Sequence, residues 1–281
     1  MKFKTRSILL LIFFLLIKNE IFPQGFLDKQ FEYAKSLYNK EQYFDSITEF
    51  KRLLFFDSTH KYNFMANNYI GNAYKAGAKF SDAILYYTLA EINAKNLNDL
   101  FKAKINIIRV NILRRTTDRA LQLLDSLNND SRFLNREKII NYWKGWAYIF
   151  ADKWDKASEE FALTDSNKTL QDLCKKVDKE KYSVVFAQII SHFIPGAGQF
   201  YTGHYLSGLL SLAWNGLWGY VAVNAFIDNR IFDGFMITNF LWLRFYNGNL
   251  QNSKNFAEEE NLEISNKALR FLQFDYLGTK P

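Results

Sequence analysis

The chain has 281 residues, of which 48% are hydrophobic and 17% aromatic, with three prolines and a formal charge of +7. Few prolines over such a length favour helices, and 36 basic residues interleaved with 29 acidic ones, in no dense Lys/Arg block, argue against nucleic acid as a partner. The single Cys174 and three histidines offer no internal disulfide and no Cys/His pair at metal-ligand spacing.

Residues 1–25 read as a targeting segment. Lys2, Lys4 and Arg6 precede an apolar run from Ile8 to Ile17 that Lys18 closes. That run is too short to span a bilayer comfortably, so export with cleavage near Gly25 is expected in preference to a retained anchor.

Residues 27–171 carry a repeat. Gly145, Tyr148, Trp154, Ala157 and Phe161 match Gly71, Tyr74, Phe80, Ala83 and Tyr87 in spacing, with Ala90 following. Ala34, Leu37, Tyr43, Ser46, Phe50 and Leu53 keep the same offsets, whereas a third copy keeps only Ala120, Leu121 and Leu124 of its second helix. Small residues let facing helices approach and aromatics fill the remaining space, so helix pairs stack on one another. Tyr142, Trp143, Trp146 and Tyr148, at helical spacing, read as core more readily than as a ligand box.

These residues resemble the tetratricopeptide family at its small-residue, Tyr, aromatic, Ala and Tyr positions. The resemblance implies about four repeats, the third degenerate. It also implies a groove lined by the first helices that holds peptides or partner proteins. On this chain the groove positions are Lys35, Tyr38 and Asn39, then Asn68, Asn72 and Lys75, then Tyr142, Trp146 and Ile149. Lys35, Asn72 and Lys75 are suited to grip a carboxylate or an acidic segment.

A charged linker helix is expected across Lys168–Lys181, its 172–182 portion leading into a membrane domain over 183–248. From Tyr205 to Ile227 no charge appears over 23 positions, enough to cross a bilayer with some tilt. A second apolar segment, Ile231 to Tyr246, carries Asp233 and Arg244, and Asp228, Asn229 and Arg230 form a turn between the two. The run P-G-A-G-Q-F-Y-T-G, with Pro195, Gly196, Gly198, Gln199, Tyr201 and Gly203, resembles small bacterial membrane domains with two transmembrane helices. The Asp228–Arg230 turn makes the two apolar segments an antiparallel membrane hairpin, whereas the resemblance implies that the Gly-rich turn itself links two membrane helices, with Ser183–Phe193 crossing. The length of that segment and the break at Pro195 also allow an interfacial or re-entrant piece. Ser207, Ser211, Asn215 and Gly219 recur at every fourth position and form one helix-packing stripe, facing another helix of this chain or of a second copy in a homo-oligomer. His192 and His204 bracket the turn without a third ligand and read as structural. Residues 249–281 read as an amphipathic tail.

The fold class expected is all-α: a tetratricopeptide-like helical solenoid followed by a helical membrane hairpin. No Ser/His/Asp, Cys/His or metal-ligand arrangement stands out, so the chain reads as non-enzymatic and without cofactor. The function expected is a membrane-anchored adaptor or scaffold that binds partner proteins in the bacterial cell envelope. The alternative is an accessory component of a transport or protein-insertion assembly in which the membrane domain does the work. The targeting segment places the chain in the bacterial inner membrane with the repeats in the periplasm, against the cytoplasmic preference of Lys175, Lys176, Lys179 and Lys181.

Overall fold

In the computed structural model, which describes residues 24–164 and 168–281, every regular element is helical. The targeting segment expected over residues 1–25 lies outside the described residues as far as position 23. The helices divide into two compact units, the first ending at Ala151 and the second spanning Asp152–Lys280.

The first unit contains α1 (Gln24–Asn39), α2 (Tyr43–Phe56), α3 (Asn63–Ala76), α4 (Phe80–Ile92), α5 (Leu97–Leu113), α6 (Thr117–Asn128), a 3-10 turn (Ser131–Arg136) and α7 (Glu137–Phe150). Each of α1 to α6 packs on the helix that follows it, and α1, α3, α5 and α7 also touch in succession. The loops after α1, α3 and α5 place Glu41, Ala78 and Arg115 in the left-handed region at φ 61°, 56° and 60°. Asp152 follows at φ 61°, and the four residues stand 37 positions apart. The next amide then closes back on the helix end: Gln42 on the Leu37 carbonyl at 3.0 Å, Lys79 on Tyr74 at 2.9 Å and Thr116 on Asn111 at 3.0 Å. This satisfies orphan carbonyls. Non-glycine residues with positive φ are uncommon, so their recurrence marks one fixed register.

That register explains the third copy. Ala34, Gly71 and Ile108 hold one buried position, while Phe50, Tyr87 and Leu124 hold the buried one across from it. A Cβ on Gly71 would lie 2.7 Å from the Tyr87 ring, so the glycine makes room for the aromatic. Ile108 and Leu124 divide the same volume more evenly, and close packing is kept although the residue types change.

The second unit contains α8 (Trp154–Ala162), α9 (Lys168–Glu180), α10 (Val184–Phe193), α11 (Ala197–Tyr201), α12 (Tyr205–Ile227), α13 (Ile231–Ile237), a π turn (Thr238–Trp242) and α14 (Leu243–Phe274). The last three follow without a gap, so the tail expected from residue 249 is the outer part of the helix that begins at Leu243. α14 is the common support, touched by α9, α10, α11 and α12. Three polar contacts pin it. Asn249 holds the glycine-rich turn. Asn261 accepts the Tyr182 amide at 2.7 Å and donates to the Tyr182 carbonyl at 2.9 Å. Ser265 donates to Asp152 Oδ1 at 2.8 Å. Burial by itself would raise the Asp152 pKa, but donors from Lys181, Ser265 and Trp154 outweigh it and hold the carboxyl below its usual range.

The apolar surface of the second unit is turned outward. α12 has 23 residues, and its most apolar stretch is 17% buried. Among the described residues it is the one helix long and apolar enough to cross a membrane. A core helix of a soluble protein has the opposite burial, since each large side chain hidden from water contributes roughly 1.5–3 kcal/mol. The segment expected as a second limb, Ile231–Tyr246, runs without a gap through α13, the π turn and the start of α14, and is not among the helices long and apolar enough to cross a membrane.

Candidate functional site

In the first unit, polar positions on α3, α5 and α7 collect in one cluster. Asn106 on α5 donates to Asn68 Oδ1 on α3 at 2.8 Å, and Arg109 reaches Asn106 Oδ1 at 3.4 Å. One turn further along α3, Asn72 Oδ1 accepts the Tyr87 hydroxyl at 2.6 Å. The Arg109 guanidinium lies 4.9 Å from the centre of the Trp143 ring on α7, a cation–π distance.

Lys75 is half-buried on α3. Burial, and after it the charge of Arg109, lowers its ammonium to about 8. Burial also lowers the Arg109 pKa, against the pull of Tyr87, Tyr142 and Tyr38. The groups acting on Lys75 are its burial and the Arg109 charge, with no carboxylate among them. Burial raises Tyr87 and Tyr38, so both keep their protons as donors at neutral pH. Two neighbouring cations held partly out of water favour an incoming anion.

Of the expected groove residues, the structure brings Asn68, Asn72 and Lys75 into this cluster, and Tyr38 and Tyr142 act on its charges. Tyr38 also packs edge-on to Tyr43 and Tyr69. Lys35 pairs instead with Glu32 on its own helix at 3.6 Å, and Asn39 is exposed at the end of α1. Trp146 and Ile149 are each 2% exposed and back the site from within the core. Arg109 was not among the expected residues. It stands one repeat after Asn72 and two after Lys35, so the repeat interval was the signal that could have found it.

In the second unit, the Pro195–Gly203 motif is a crossing point of helices. Gly196 has φ 94°, and a Cβ there would collide with the Gly208 carbonyl oxygen. A Cβ on Gly198 would sit 2.5 Å from the Ala187 carbonyl, the Ser191 hydroxyl and Ser253 Cβ. Asn249 holds the turn from α14: its Oδ1 accepts the Gly196 amide at 2.7 Å and Gln199 Nε2 at 3.0 Å, and its Nδ2 donates to the Ser191 carbonyl at 3.1 Å. Ser191 Oγ accepts the Gly198 amide at 2.8 Å, and the Tyr201 hydroxyl accepts the Ser183 amide at 3.2 Å. Gly203, at φ 82°, opens the path into α12. Sequence reasoning missed Asn249, Ser191 and Ser253, which lie outside the motif in the chain and meet it only in space.

The stripe on α12 faces the same support. Ser211 Oγ accepts Gln199 Nε2 at 3.2 Å, Asn215 Nδ2 donates to the Ser211 carbonyl at 2.8 Å, and a Cβ on Gly219 would lie 3.5 Å from the Trp242 indole. Ser207 lines a cleft beside α14. His204 stacks on Phe256 at 3.9 Å, and the His192 ring packs edge-on to Tyr246. Among the described residues no group of three His, Cys, Asp or Glu side chains is placed to hold a metal ion. Comparison of the chain with protein-family models, with curated proteins and with solved structures finds no match.

Proposed function

We propose that this protein is a membrane-anchored adaptor of the bacterial cell envelope. In this reading a tetratricopeptide-type solenoid formed by the helix pairs binds an acidic segment or a terminal carboxylate of a partner protein, and the C-terminal unit sits in the inner membrane. The observation that carries the binding role is Lys75, held partly out of water beside the charge of Arg109, with burial lowering both cations. The fixed 37-residue interval of the left-handed loop residues supports the repeat reading, and the outward apolar face of α12 supports the membrane reading. The periplasmic placement of the repeats follows from the targeting segment, and oligomer formation through the apolar faces is part of the same reading.

The test is titration of the full chain in detergent with an acidic peptide ending in a free carboxylate, beside the same peptide amidated and with its acids changed to amides. The acidic peptide is expected to bind and the neutral one to bind at least about tenfold more weakly, as loss of charge-assisted hydrogen bonds implies. Affinity is also expected to depend on pH. The free Lys75 ammonium releases its proton near pH 8, while a bound carboxylate holds that proton on. Binding is therefore strongest below pH 8 and weakens above it by up to about tenfold per pH unit, with uptake of one proton. Equal affinity for both peptides, or affinity flat from pH 7 to 9.5, contradicts the assignment.

A further inference from the structure

α12 and the start of α14 lie side by side in a register that their contacts define. Trp242 faces Gly219, and Phe245 stacks on Trp214 at 5.6 Å and on Trp218 at 6.4 Å. Further along, Gln199 joins Ser211 to Asn249. The two helices therefore run antiparallel, and between them is a cleft of about 380 Å³. It is lined by Ser207, Asn215, Arg244 and Asn252, with the stacked Trp214 and Phe245 as one wall.

Two features mark this cleft as built for a polar occupant. Arg244 is level with Trp214 and Asn215, about halfway along a helix of 23 uncharged residues. Among the described residues no carboxylate pairs with it, whereas Arg230 at the turn lies 3.8 Å from Asp228 and 3.6 Å from Asp233. A cation at that depth is costly unless a counter-charge or a wet channel reaches it. Asn215, independently, is 4% exposed, lines the cleft, and has an Oδ1 that meets no donor among the described residues. An acyl chain satisfies neither group. The cleft extends to Asn252, roughly two turns of α14 beyond Arg244 and toward the Tyr205 end of α12, where lipid headgroups would lie. An anionic ligand supplied by the bilayer answers Arg244, and one that also carries a hydroxyl or ammonium donor answers Asn215 Oδ1.

We propose that this cleft binds one glycerophospholipid, its phosphodiester held by Arg244 and by the Ser207 hydroxyl and its glycerol backbone packed on the Trp214–Phe245 wall. The proposal rests on the second unit being embedded in lipid. The experiment is native mass spectrometry of the full chain, purified in a mild detergent and delipidated until loosely held lipid is gone. One phospholipid per chain is expected to remain. Arg244→Gln and Ser207→Leu, which act from different helices, are each expected to lower its occupancy by about tenfold or more, while Arg244→Lys keeps most of it. Millimolar inorganic phosphate is expected to leave the lipid in place, whereas a short-chain phosphatidylglycerol displaces it. Displacement by inorganic phosphate would assign the site to a free anion and overturn the proposal. So would a wild-type chain that stays with membranes through an alkaline carbonate wash yet carries no lipid, or Arg244→Gln and Ser207→Leu chains of unchanged helicity that carry as much as wild type. Release by the carbonate wash is the separate outcome that defeats the membrane reading itself.

Discussion

Asn249→Leu is expected to abolish the cooperative thermal transition of the C-terminal unit, followed by tryptophan fluorescence of the detergent-solubilised chain. The substitution keeps the branched side-chain outline but strands two buried groups, the Gly196 amide and the Ser191 carbonyl, and leaves Gln199 Nε2 only its longer bonds to Ser211 Oγ and the Asn249 carbonyl. Leaving a buried polar group without a partner costs about 1–3 kcal/mol, so two such losses, with a bulkier side chain in a buried site, take a large part of a typical total stability of about 5–15 kcal/mol. Gly198→Ala is expected to fail equally, because two of the atoms its Cβ would meet at 2.5 Å are the Ala187 carbonyl oxygen and the Ser253 Cβ, which lie on or directly beside backbone. Gly216→Ala is the matched control. Nothing lies within 4 Å of its Cβ, and replacing a helical glycine there should stabilise by up to about 1 kcal/mol. An Asn249→Leu chain melting within about 1 °C of wild type would show that the turn is not held from α14.

The double substitution Lys75→Met, Arg109→Met is expected to raise the melting temperature of the first unit and to remove acidic-peptide binding. Lys75 titrates near 8 in the folded chain, below its ordinary value of 10.5. The folded state therefore binds protons less readily than the unfolded chain between those pH values. Stability gains as pH rises from 8 to 10.5, and at neutral pH the penalty is fully present. Because Lys75 keeps part of its exposure, the penalty is taken as about 1–2 kcal/mol, well under the full shift. Methionine preserves the packing of the aliphatic stems and removes both charges. A site that gains stability when its polar groups are deleted and loses its ligand has been kept for binding. If stability falls while peptide affinity holds, the two cations are structural and the groove assignment is wrong.

Much of the first unit was legible because its signal is periodic. Gly71 with Tyr87 advertises a close approach and the ring that fills it, and Ala34 with Phe50 repeats the pair one interval earlier. The third pair was faint for a physical reason. Ile108 and Leu124 fill their positions without a glycine–aromatic exchange, and the register persists instead in the backbone of Arg115, which residue identity does not announce. Arg109 escaped for the same reason, since its repeat was the eroded one. The second unit was legible in its uncharged span and its glycines. Its supports were not: Asn249, Ser253 and Asn261 follow the motif by about 50 residues or more and read as part of an ordinary polar tail until α14 brings them back to it.

The central claim is that the C-terminal unit finds its apolar surroundings in lipid. The most direct measurement takes the chain beginning at Phe26, expresses it in bacteria, and follows it through alkaline carbonate extraction and detergent phase separation. It is expected to stay with the membrane pellet, to enter the detergent-rich phase and to aggregate when detergent is withdrawn, as the outward Leu209, Leu217, Val223 and Phe232 require. A protein that leaves the membrane with carbonate and runs as a stable monomer in detergent-free buffer would contradict it.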